Sequence, residues 1–452
     1  MAIVSCALER IKKNLDLFLP EEAIVSACRE AKHLWRQRML GPVETIHLFI
    51  LQVLCFNTAM NHLRHLSHLP VKASGYCQAR RRLPLKVLEA LLAKSASAMQ
   101  QKCRDTQARW CGLRAYLVDG SSTMAPDTPS SQKAFGQPCG CKKGCGFPVP
   151  KLLGLFDAFT GLIINVLAFP LYTHEQSKVW MLHGSLDKGD LLVADRGFCS
   201  FVHLAMLFSR GVHGLFRIHQ RQIVSFRPHR RHRQKYRQAQ KAGKSLPHSR
   251  FVKRLGKWDQ VVEWFKPAGK PQWMNQQQYD QLPKSLLIRE LKVVLENKGQ
   301  RTRVLIIATT LLDPERYPQQ KIVELYGVRW RVETHFYELK ITLRMRKLKS
   351  KSATGILKEL MVYALVYNLV HWIMVQAAQR QSVTPDRISF IDTVRWLLSA
   401  AIHEDLPDLI INPRRPGRHE PRVVKDREDT YTKMTRPRHQ LRKTLKNQPK
   451  GA

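Results

Sequence analysis

Acidic residues are scarce in this chain, and their scarcity limits what the protein can bind. Aspartate and glutamate number 35 against 75 lysines and arginines, which gives a formal net charge of +40 and an isoelectric point of about 10.3. The charge is also clustered, since residues 217–257 hold fourteen basic residues and no acidic one. Such a surface favours a polyanionic partner, most simply nucleic acid. An inert basic surface is the alternative.

The chain also lacks the features of a secreted or membrane protein. Residues 1–12 have no basic start followed by a long apolar run, so no signal peptide is expected. The longest apolar stretch, residues 360–375, is too short to span a membrane and contains Asn368 and His371. Ten irregularly spaced cysteines are typical of reduced thiols in a cytosol. We therefore expect a soluble, cytoplasmic protein with no membrane partner.

Two short segments resemble ligand-binding motifs without completing them. Residues 242–245 match the end of a P-loop, but Gln238 occupies the position of its first glycine, so ATP binding is not expected. Cys139, Cys141 and Cys145 bring three thiols close together in the chain, but a closed zinc site needs a fourth ligand from elsewhere. A glycine-rich surface loop is the favoured interpretation, and zinc binding is the alternative.

Residues 1–110 are predicted to form a helical domain. Apolar residues recur at helical spacing over residues 21–38, 43–56 and 85–99. Basic side chains lie between or beside these helices, for example at residues 80–82. A helical module of this kind can read DNA, although no helix-turn-helix signature is evident. A helical cap on the core is an equally weighted alternative.

Residues 111–213 change to a strand pattern. Short apolar runs predict four strands, at residues 115–118, 151–158, 161–169 and 191–194, with a tight turn at residues 159–161 and a helix over residues 174–183. The first and fourth strands end at Asp119 and Asp195. Three strands, a helix and a fourth strand describe the start of a ribonuclease-H-like α/β core.

The rest of the chain divides into three further segments. Alternating apolar residues within a basic stretch predict a β-rich insertion over residues 214–300. Residues 301–376 then supply a strand and helices, which we assign to the second part of the core. Residues 377–452 are predicted to hold C-terminal helices and a basic tail, since from residue 413 onward there are thirteen Lys or Arg and four acids.

A polar row on one predicted helix is the most informative feature of the sequence. At about 100° per residue, Tyr326, Arg329, Glu333 and Lys340 fall within a wedge of roughly 60°. One carboxylate flanked by two cations and a phenol suits a site that holds a metal ion and grips phosphate. An apolar stripe beside the row allows the helix to pack; it comprises Val332, Phe336, Leu339 and Leu343.

Asp119, Asp195 and Glu333 are the candidate metal ligands and catalytic residues. The two aspartates follow apolar strands, which is where α/β folds place ligands. Converging carboxylates need a cation between them, and Mg²⁺ suits an all-oxygen set. Two such ions about 3.5–4 Å apart can promote in-line phosphoryl displacement. Singly, each acid has an ordinary alternative: a turn residue for Asp119, a helix cap or salt bridge for Asp195, and a pair with Arg329 for Glu333.

The polar row carries a resemblance to a known family. Tyr326, two residues, Arg329, three residues, Glu333, six residues and Lys340 match the signature of DDE insertion-sequence transposases of insertion sequence family four. Residues 118–120 and 194–198 resemble that family's two aspartate blocks. The likeness extends over nearly the whole chain, including the segments 79–84 and 413–418.

The resemblance implies a function and its partners. It implies a ribonuclease-H-like core with a β-rich insertion, binding of double-stranded DNA, and Mg²⁺-dependent cutting of transposon ends, with Mn²⁺ as a substitute. It also implies a hairpin intermediate, joining of 3′ ends to target DNA, and a homodimer on DNA in a bacterial cytosol, associated with the nucleoid. Tyr326, Arg329 and Lys340 would hold phosphates near the cut.

Two questions stay open at the level of sequence. Some relatives use a tryptophan of the insertion against a flipped base, and the resemblance does not decide among Trp258, Trp264 and Trp273. The alternatives to an active transposase are a non-catalytic DNA-binding derivative and another ribonuclease-H-like nuclease, such as a junction resolvase. The intact carboxylate trio argues against the first, and the Tyr-Arg-Glu-Lys row argues against the second.

Overall fold

The structure is that of an α/β protein. The computed structural model describes residues 7–102, 109–219, 222, 224–226, 249–294, 304–401, 404–413, 434 and 436–447. Within these residues nine strands form one sheet, with helices packed around it. Much of the basic segment 217–257, and most of the tail after residue 413, fall outside the described residues.

The N-terminal section is helical, as predicted. Its α-helices are α1 (Ala7–Phe18), α2 (Glu21–Glu30), α3 (Pro42–Leu54), α4 (Leu63–Ser67), α5 (Ala73–Arg82) and α6 (Leu85–Lys102). The helix predicted over residues 21–38 is shorter than expected and stops at Glu30, because Lys32 takes a left-handed backbone with φ of 53°. Nearly every residue of α3 is buried, so this helix is the centre of the section.

Arg80 connects this helical section to the rest of the molecule. Its guanidinium lies 3.6 Å from the centroid of the Phe49 ring and donates hydrogen bonds of 3.1 Å to Gln52 Oε1 and 3.2 Å to Ser350 Oγ. Lys358 donates to the carbonyl oxygens of Arg80 and Arg81. At least one of the clustered basic residues of the helical domain therefore serves in packing, in line with the alternative of a helical cap on the core.

Five strands form the first part of the sheet: β1 (Ala115–Ser122), β2 (Lys151–Asp157), β3 (Ile163–Phe169), β4 (Leu191–Ala194) and β5 (His213–Arg217). They are ordered β3-β2-β1-β4-β5. β1, β4 and β5 are parallel, whereas β2 runs antiparallel to both β1 and β3. The helices α7 (Pro129–Phe135) and α8 (Phe201–Ser209) lie between these strands in the chain.

Two local predictions in this part have different outcomes. The tight turn at residues 159–161 is confirmed, since Asp157 Oδ1 accepts hydrogen bonds from the backbone N–H of Phe159 and Thr160. The helix predicted over residues 174–183 is instead two 3₁₀ segments, Glu175–Ser177 and Val179–Ser185. The chain between β3 and β4 therefore winds more tightly than the predicted α-helix, with three residues per turn in place of about 3.6.

The basic β-rich segment extends the same sheet. β9 (Val304–Thr309) pairs antiparallel with β5, and β8 (Ser285–Val294), β7 (Asp259–Phe265) and β6 (Ser249–Gly256) follow outward. The short helix α9 (Gln276–Asp280) lies between β7 and β8 in the chain. β5 begins at the boundary predicted at residue 213. Because β9 pairs with β5 on one side and with β8 on the other, β9 joins the β-rich segment to the core.

The remaining helices close the fold: α10 (Gln319–Val328), α11 (Arg331–Tyr337), α12 (Ala353–Arg380), α13 (Phe390–Ser399) and α14 (Arg438–Asn447). In the described part of the chain, α12 is the helix long and apolar enough to cross a membrane, and 89% of its most apolar window is buried inside the protein. It packs against α3, α6, α13 and β3. It is thus the central core helix.

Candidate active site

The register between β1 and β4 places the two aspartates side by side. Val118 pairs with Ala194 as the last pair of this parallel ladder, and Asp119 and Asp195 are the next residues on each strand. Asp119 does not end its strand, contrary to the sequence-based prediction, because β1 stays paired with β2 as far as Ser122. β4 does end at Ala194, where Asp195 starts a 3₁₀ turn. Beyond Val118 and Ala194 the strands β1 and β4 are no longer paired, so Asp119 and Asp195 lie at a gap in the sheet between them.

The segment that carries the polar row is less regular than the single helix predicted. α10 ends at Val328, α11 begins at Arg331, and a π-helical turn follows at Glu338–Thr342. Around Arg329 the backbone hydrogen bonds are of the tighter i→i−3 type, for example from the N–H of Glu333 to the carbonyl of Trp330. These changes of pitch alter the direction of each side chain relative to a uniform helix.

The side chains of the row nevertheless face the two strands. Tyr326 donates a hydrogen bond of 3.4 Å to Asp195 Oδ1. Lys340 donates one of 3.3 Å to Ser121 Oγ, two residues beyond Asp119 on β1. Tyr326 is fully buried and its ring meets Trp330 edge-on. The row thus lies along the open edge of the sheet.

Arg329 lies between two of the three carboxylates. Its Nη1 is 3.4 Å from Asp119 Oδ2, and its Nη2 is 3.9 Å from Glu333 Oε1. The Arg329 side chain is 8% exposed, whereas that of Glu333 is 65% exposed. Nε of Arg329 is buried and has no hydrogen-bond partner. A buried arginine with long contacts and an unused donor is poorly satisfied by the protein alone.

Burial shapes the electrostatics of this edge. Burial raises the pKa of the Asp119 carboxyl, and the neighbouring Asp195 and Glu175 act in the same direction. The Gly120 N–H and the Arg329 guanidinium oppose that rise. Burial, helped by Arg346, lowers the pKa of Lys340. Asp119 and Lys340 are therefore both in less water than a charged group prefers, which increases their attraction for a charged ligand.

The donor set fits a hard divalent cation. Asp119, Asp195 and Glu333 offer oxygen atoms only, as such an ion prefers. Their ligand atoms do not all lie within 4.8 Å of one another in the described structure. The Arg329 guanidinium lies between Asp119 and Glu333, 3.4 Å and 3.9 Å from their carboxylate oxygens.

Glu175 is a fourth carboxylate at this edge that sequence reasoning missed. It opens the 3₁₀ segment after β3, and a Cβ atom on Gly120 would lie only 2.5 Å from its Oε1. Gly120 thus leaves the room that the Glu175 carboxylate occupies beside Asp119. The sequence carries only a weak signal for it, an acid between the third and fourth strands, and helical spacing there predicts an ordinary helix.

The structure also locates the three clustered cysteines and two of the three candidate tryptophans. The sulfur atoms of Cys139, Cys141 and Cys145 do not form a group within 4.8 Å, among the residues that the structure describes, so the structure gives no support to a zinc site there. Trp264 is fully buried and donates a hydrogen bond to Glu290. Trp258 lies beneath Lys292, whose Nζ is 4.1 Å from the ring centroid. Trp264 is therefore a core residue of the outer sheet.

A family model described as the transposase DDE domain matches residues 110–369. This range contains both aspartates and the whole polar row. The chain belongs to the DDE transposase family. It is accordingly an enzyme, a DDE-type transposase that acts on DNA, and enzymes of this family use divalent metal ions.

Two known transposases are similar to this chain. The transposase InsG for insertion sequence element IS4 of Escherichia coli (strain K12) is 24% identical over 381 residues, which cover 80% of this chain and 78% of that protein. Among solved structures, the cryo-EM structure of a piggyBac transposase synaptic complex with hairpin DNA covers 86% of this chain and 79% of that chain, with 11% identity and a TM-score of 0.42. The sequence relative supports the insertion-sequence-family-four type of DDE transposase.

Proposed function

We propose that this transposase binds the terminal inverted repeats of an insertion sequence, cleaves the DNA at those ends and joins the freed 3′ ends to target DNA. The observation that carries the proposal is Arg329, a buried arginine held loosely between Asp119 and Glu333 with Nε unused. Such an arginine is suited to bind a substrate phosphate beside the carboxylates.

The proposed architecture is a ribonuclease-H-like core with a β-rich insertion. The strand order β3-β2-β1-β4-β5, with β2 antiparallel to its neighbours, supports this core. Strands β6 to β8 then represent the insertion, although they pair into the same sheet. The proposed segments are 1–110, 111–213, 214–300, 301–376 and 377–452, the first of which would contribute DNA binding.

Asp119, Asp195 and Glu333 would hold Mg²⁺, with Mn²⁺ as a substitute. When bound, such ions activate the attacking oxygen and stabilise the leaving oxygen of a phosphodiester. Tyr326 donates to Asp195 and would fix the direction of that carboxylate. Arg329 and Lys340 would bind phosphate oxygens on either side of the cut, because both lie on the open edge and carry incompletely neutralised charge.

The proposed partners follow from charge and family. A net charge of +40 supports extensive contact with the phosphates of double-stranded DNA. The signature shared with insertion sequence family four supports cleavage through a hairpin and assembly of two copies on paired ends. A DNA-bound protein of this kind would be associated with the nucleoid of a bacterial cytosol.

Asp195→Asn tests the proposed chemistry directly. Loss of one ligand of the metal site should remove several kcal/mol of transition-state stabilisation, so cleavage and strand joining should fall roughly a thousandfold. Binding to labelled DNA that carries the terminal repeats should persist. The rate is measured in single-turnover reactions with Mg²⁺, and binding by a mobility shift.

Asp187→Asn is the matched control for that experiment. Asp187 lies just before β4, at the opposite end from Asp195, and its side chain is 79% exposed and paired with Arg114. This control should cleave DNA at the unaltered rate. Equal cleavage by the Asp195→Asn protein and the unaltered protein would refute the metal-ligand role, and loss of DNA binding would show that Asp195 acts in binding instead.

A further inference from the structure

A second cluster of metal-binding side chains lies behind the polar row. His335 on α11, Glu338 on the π-helical turn and His371 on α12 each offer a ligand atom, and these atoms all lie within 4.8 Å of one another. It is the one group of three or more such residues found among the described residues. His335 and His371 are both buried, and the Glu338 side chain is 13% exposed. This cluster shares no residue with the proposed Mg²⁺ ligands.

The hydrogen bonds of His371 direct its Nε2 at Glu338. Its Nδ1 is 3.1 Å from the carbonyl oxygen of Thr160, which can only accept, so Nδ1 carries a proton. Its Nε2 is 3.2 Å from Glu338 Oε2. A neutral His371 would direct a lone pair at a carboxylate oxygen, which is repulsive. A proton, on His371 or on Glu338, or a metal ion must therefore lie between the two atoms.

The distances suit a tetrahedral metal ion. Zinc with ligands at about 2.0–2.2 Å keeps neighbouring ligand atoms roughly 3.3–3.5 Å apart. Glu338 Oε2 lies 3.2 Å from His371 Nε2 and 3.7 Å from His335 Nδ1. The hydroxyl of Tyr367 lies 2.8 Å from His335 Nδ1 and 3.4 Å from Glu338 Oε2, and the first of these is a hydrogen-bond distance, shorter than the separation of two zinc ligands. His371 also has the carbonyl contact that typically orients a metal-bound histidine.

The surrounding chain leaves room for both imidazole rings. A Cβ on Gly161 would lie 2.7 Å from Cε1 of His371 and 3.0 Å from Cε1 of His335. The φ of Gly161 is +74°, so the turn that presents the Thr160 carbonyl also requires glycine.

We propose that His335, Glu338 and His371 bind a zinc ion that has a structural role, with the Tyr367 hydroxyl hydrogen-bonded beside them. Two nitrogen ligands distinguish it from the all-oxygen site at Asp119, because imidazole favours zinc over magnesium. The ion would tie the helix that carries Glu333 to α12 and to the β2–β3 turn. The site would fix the position of the catalytic helix without touching DNA.

Metal content of the purified full-length protein tests this site without an activity assay. After dialysis against a weak chelator, the unaltered protein should retain about one zinc ion per chain. Glu338→Gln keeps the size of the side chain and a hydrogen bond to His371, but removes the anionic ligand. Its zinc content should fall at least tenfold, while its circular dichroism spectrum stays that of a folded chain.

Two control proteins separate this site from other places where zinc can bind. Asp195→Asn alters the proposed Mg²⁺ site, and a triple serine variant of Cys139, Cys141 and Cys145 removes the exposed thiols. Both should retain zinc at the level of the unaltered protein. Loss of zinc in either control, with retention in Glu338→Gln, would overturn the proposal, as would an unaltered protein that holds no zinc.

Cobalt substitution supplies a measurement that needs no variant. Co²⁺ added to the zinc-free protein should produce the intense visible absorption of a tetrahedral site with nitrogen and oxygen ligands. Near-ultraviolet thiolate-to-cobalt bands would assign the metal to the cysteines instead and refute the proposal. Because both readouts report metal and not DNA cleavage, failure of this proposal is distinct from failure of the transposase mechanism.

Discussion

Two buried arginines of this transposase, one in the outer sheet and one at the active site, contact carboxylates in opposite ways. Arg289 on β8 donates to both oxygens of Asp259, at 2.9 and 2.5 Å, and to the carbonyl of Tyr317 at 2.7 Å. Arg329 reaches its two carboxylates only at 3.4 and 3.9 Å and leaves Nε without a partner. Both side chains are less than a tenth exposed.

The difference separates a structural arginine from a functional one. Arg289 forms a two-pronged pair with Asp259 and uses its remaining donor within the protein, so nothing further is needed for stability. Arg329 is equally withdrawn from water but incompletely bonded, which is unfavourable unless a ligand supplies the missing acceptor. DNA phosphate is such an acceptor. The variants below test this contrast from the largest expected effect to the smallest.

Arg289→Ala should cause the largest loss of stability. It leaves Asp259 buried and without its cation, which typically costs about 3–5 kcal/mol in the free energy of unfolding. Chemical denaturation of the full chain measures that cost. The double variant Arg289→Met with Asp259→Leu removes both charges and should recover much of the loss. A cost for Arg289→Ala no greater than that for Arg329→Ala would contradict the contrast.

Arg329→Ala should reverse this balance between stability and activity. Its long contacts predict a loss of stability of about 1 kcal/mol or less. Cleavage of terminal-repeat DNA should fall roughly a hundredfold, since a charge-assisted contact to phosphate is lost in the transition state. The cleavage rate of Arg329→Lys, which keeps the charge without the planar guanidinium, should lie between those of Arg329→Ala and the unaltered protein. A collapse of bulk DNA affinity in Arg329→Ala would make Arg329 an anchoring residue instead.

Local signals of the sequence predicted much of the fold around this site. The apolar run 191–194 bounded by polar residues matches β4 (Leu191–Ala194) residue for residue. β1 was predicted four residues short, because Asp119, Gly120 and two serines do not resemble a strand in isolation. They remain extended because each pairs with a residue of β2, from Asp119 with Gly154 to Ser122 with Lys151. Tertiary pairing therefore overrides local propensity at the place where the site opens.

Two features at or near the site could not be read from the sequence. The change of helical pitch at Arg329 and at Glu338–Thr342 depends on packing against the sheet, whereas apolar spacing indicates only an average period. The joining of the insertion strands to the core through β9 is a long-range pairing with no local signal. Apolar alternation predicts a β-rich insertion over residues 214–300 but does not indicate that its strands β6, β7 and β8 continue the core sheet.

Glu175→Gln tests whether the extra carboxylate takes part in the site that Arg329 occupies. Glu175 lies against Gly120 and beside Asp119, so it can orient a ligand or contribute to cation binding. The Mg²⁺ concentration needed for half-maximal cleavage should rise roughly tenfold, as for other groups next to metal ligands. Asp187→Asn is again the control. An unchanged Mg²⁺ requirement would restrict Glu175 to filling the space beside Gly120.

Glu290→Gln tests how far a buried carboxylate destabilises the fold when its hydrogen-bond partners are uncharged. Glu290 follows Arg289 on β8 and accepts hydrogen bonds from Gln260 at 2.8 Å and Trp264 at 3.0 Å. Burial raises its pKa above the usual 4.5, and those two bonds offset only part of the rise. The folded chain therefore holds this proton more firmly than the unfolded chain, and stability falls as pH rises from about 4.5 through the raised pKa.

Removing the charge of Glu290 should accordingly stabilise the protein above that range, by about 1 kcal/mol, and should have no effect below it. Glu263→Gln on β7 is the matched opposite, because a hydrogen bond from Ser285 and the ion pair with Arg250 lower the pKa of the Glu263 carboxyl. That variant should lose stability at neutral pH instead. Denaturation of both proteins at neutral and acidic pH measures the two signs. If both variants shifted stability in the same direction at neutral pH, then the presence of a cationic partner would not decide whether a carboxylate in this sheet stabilises the fold.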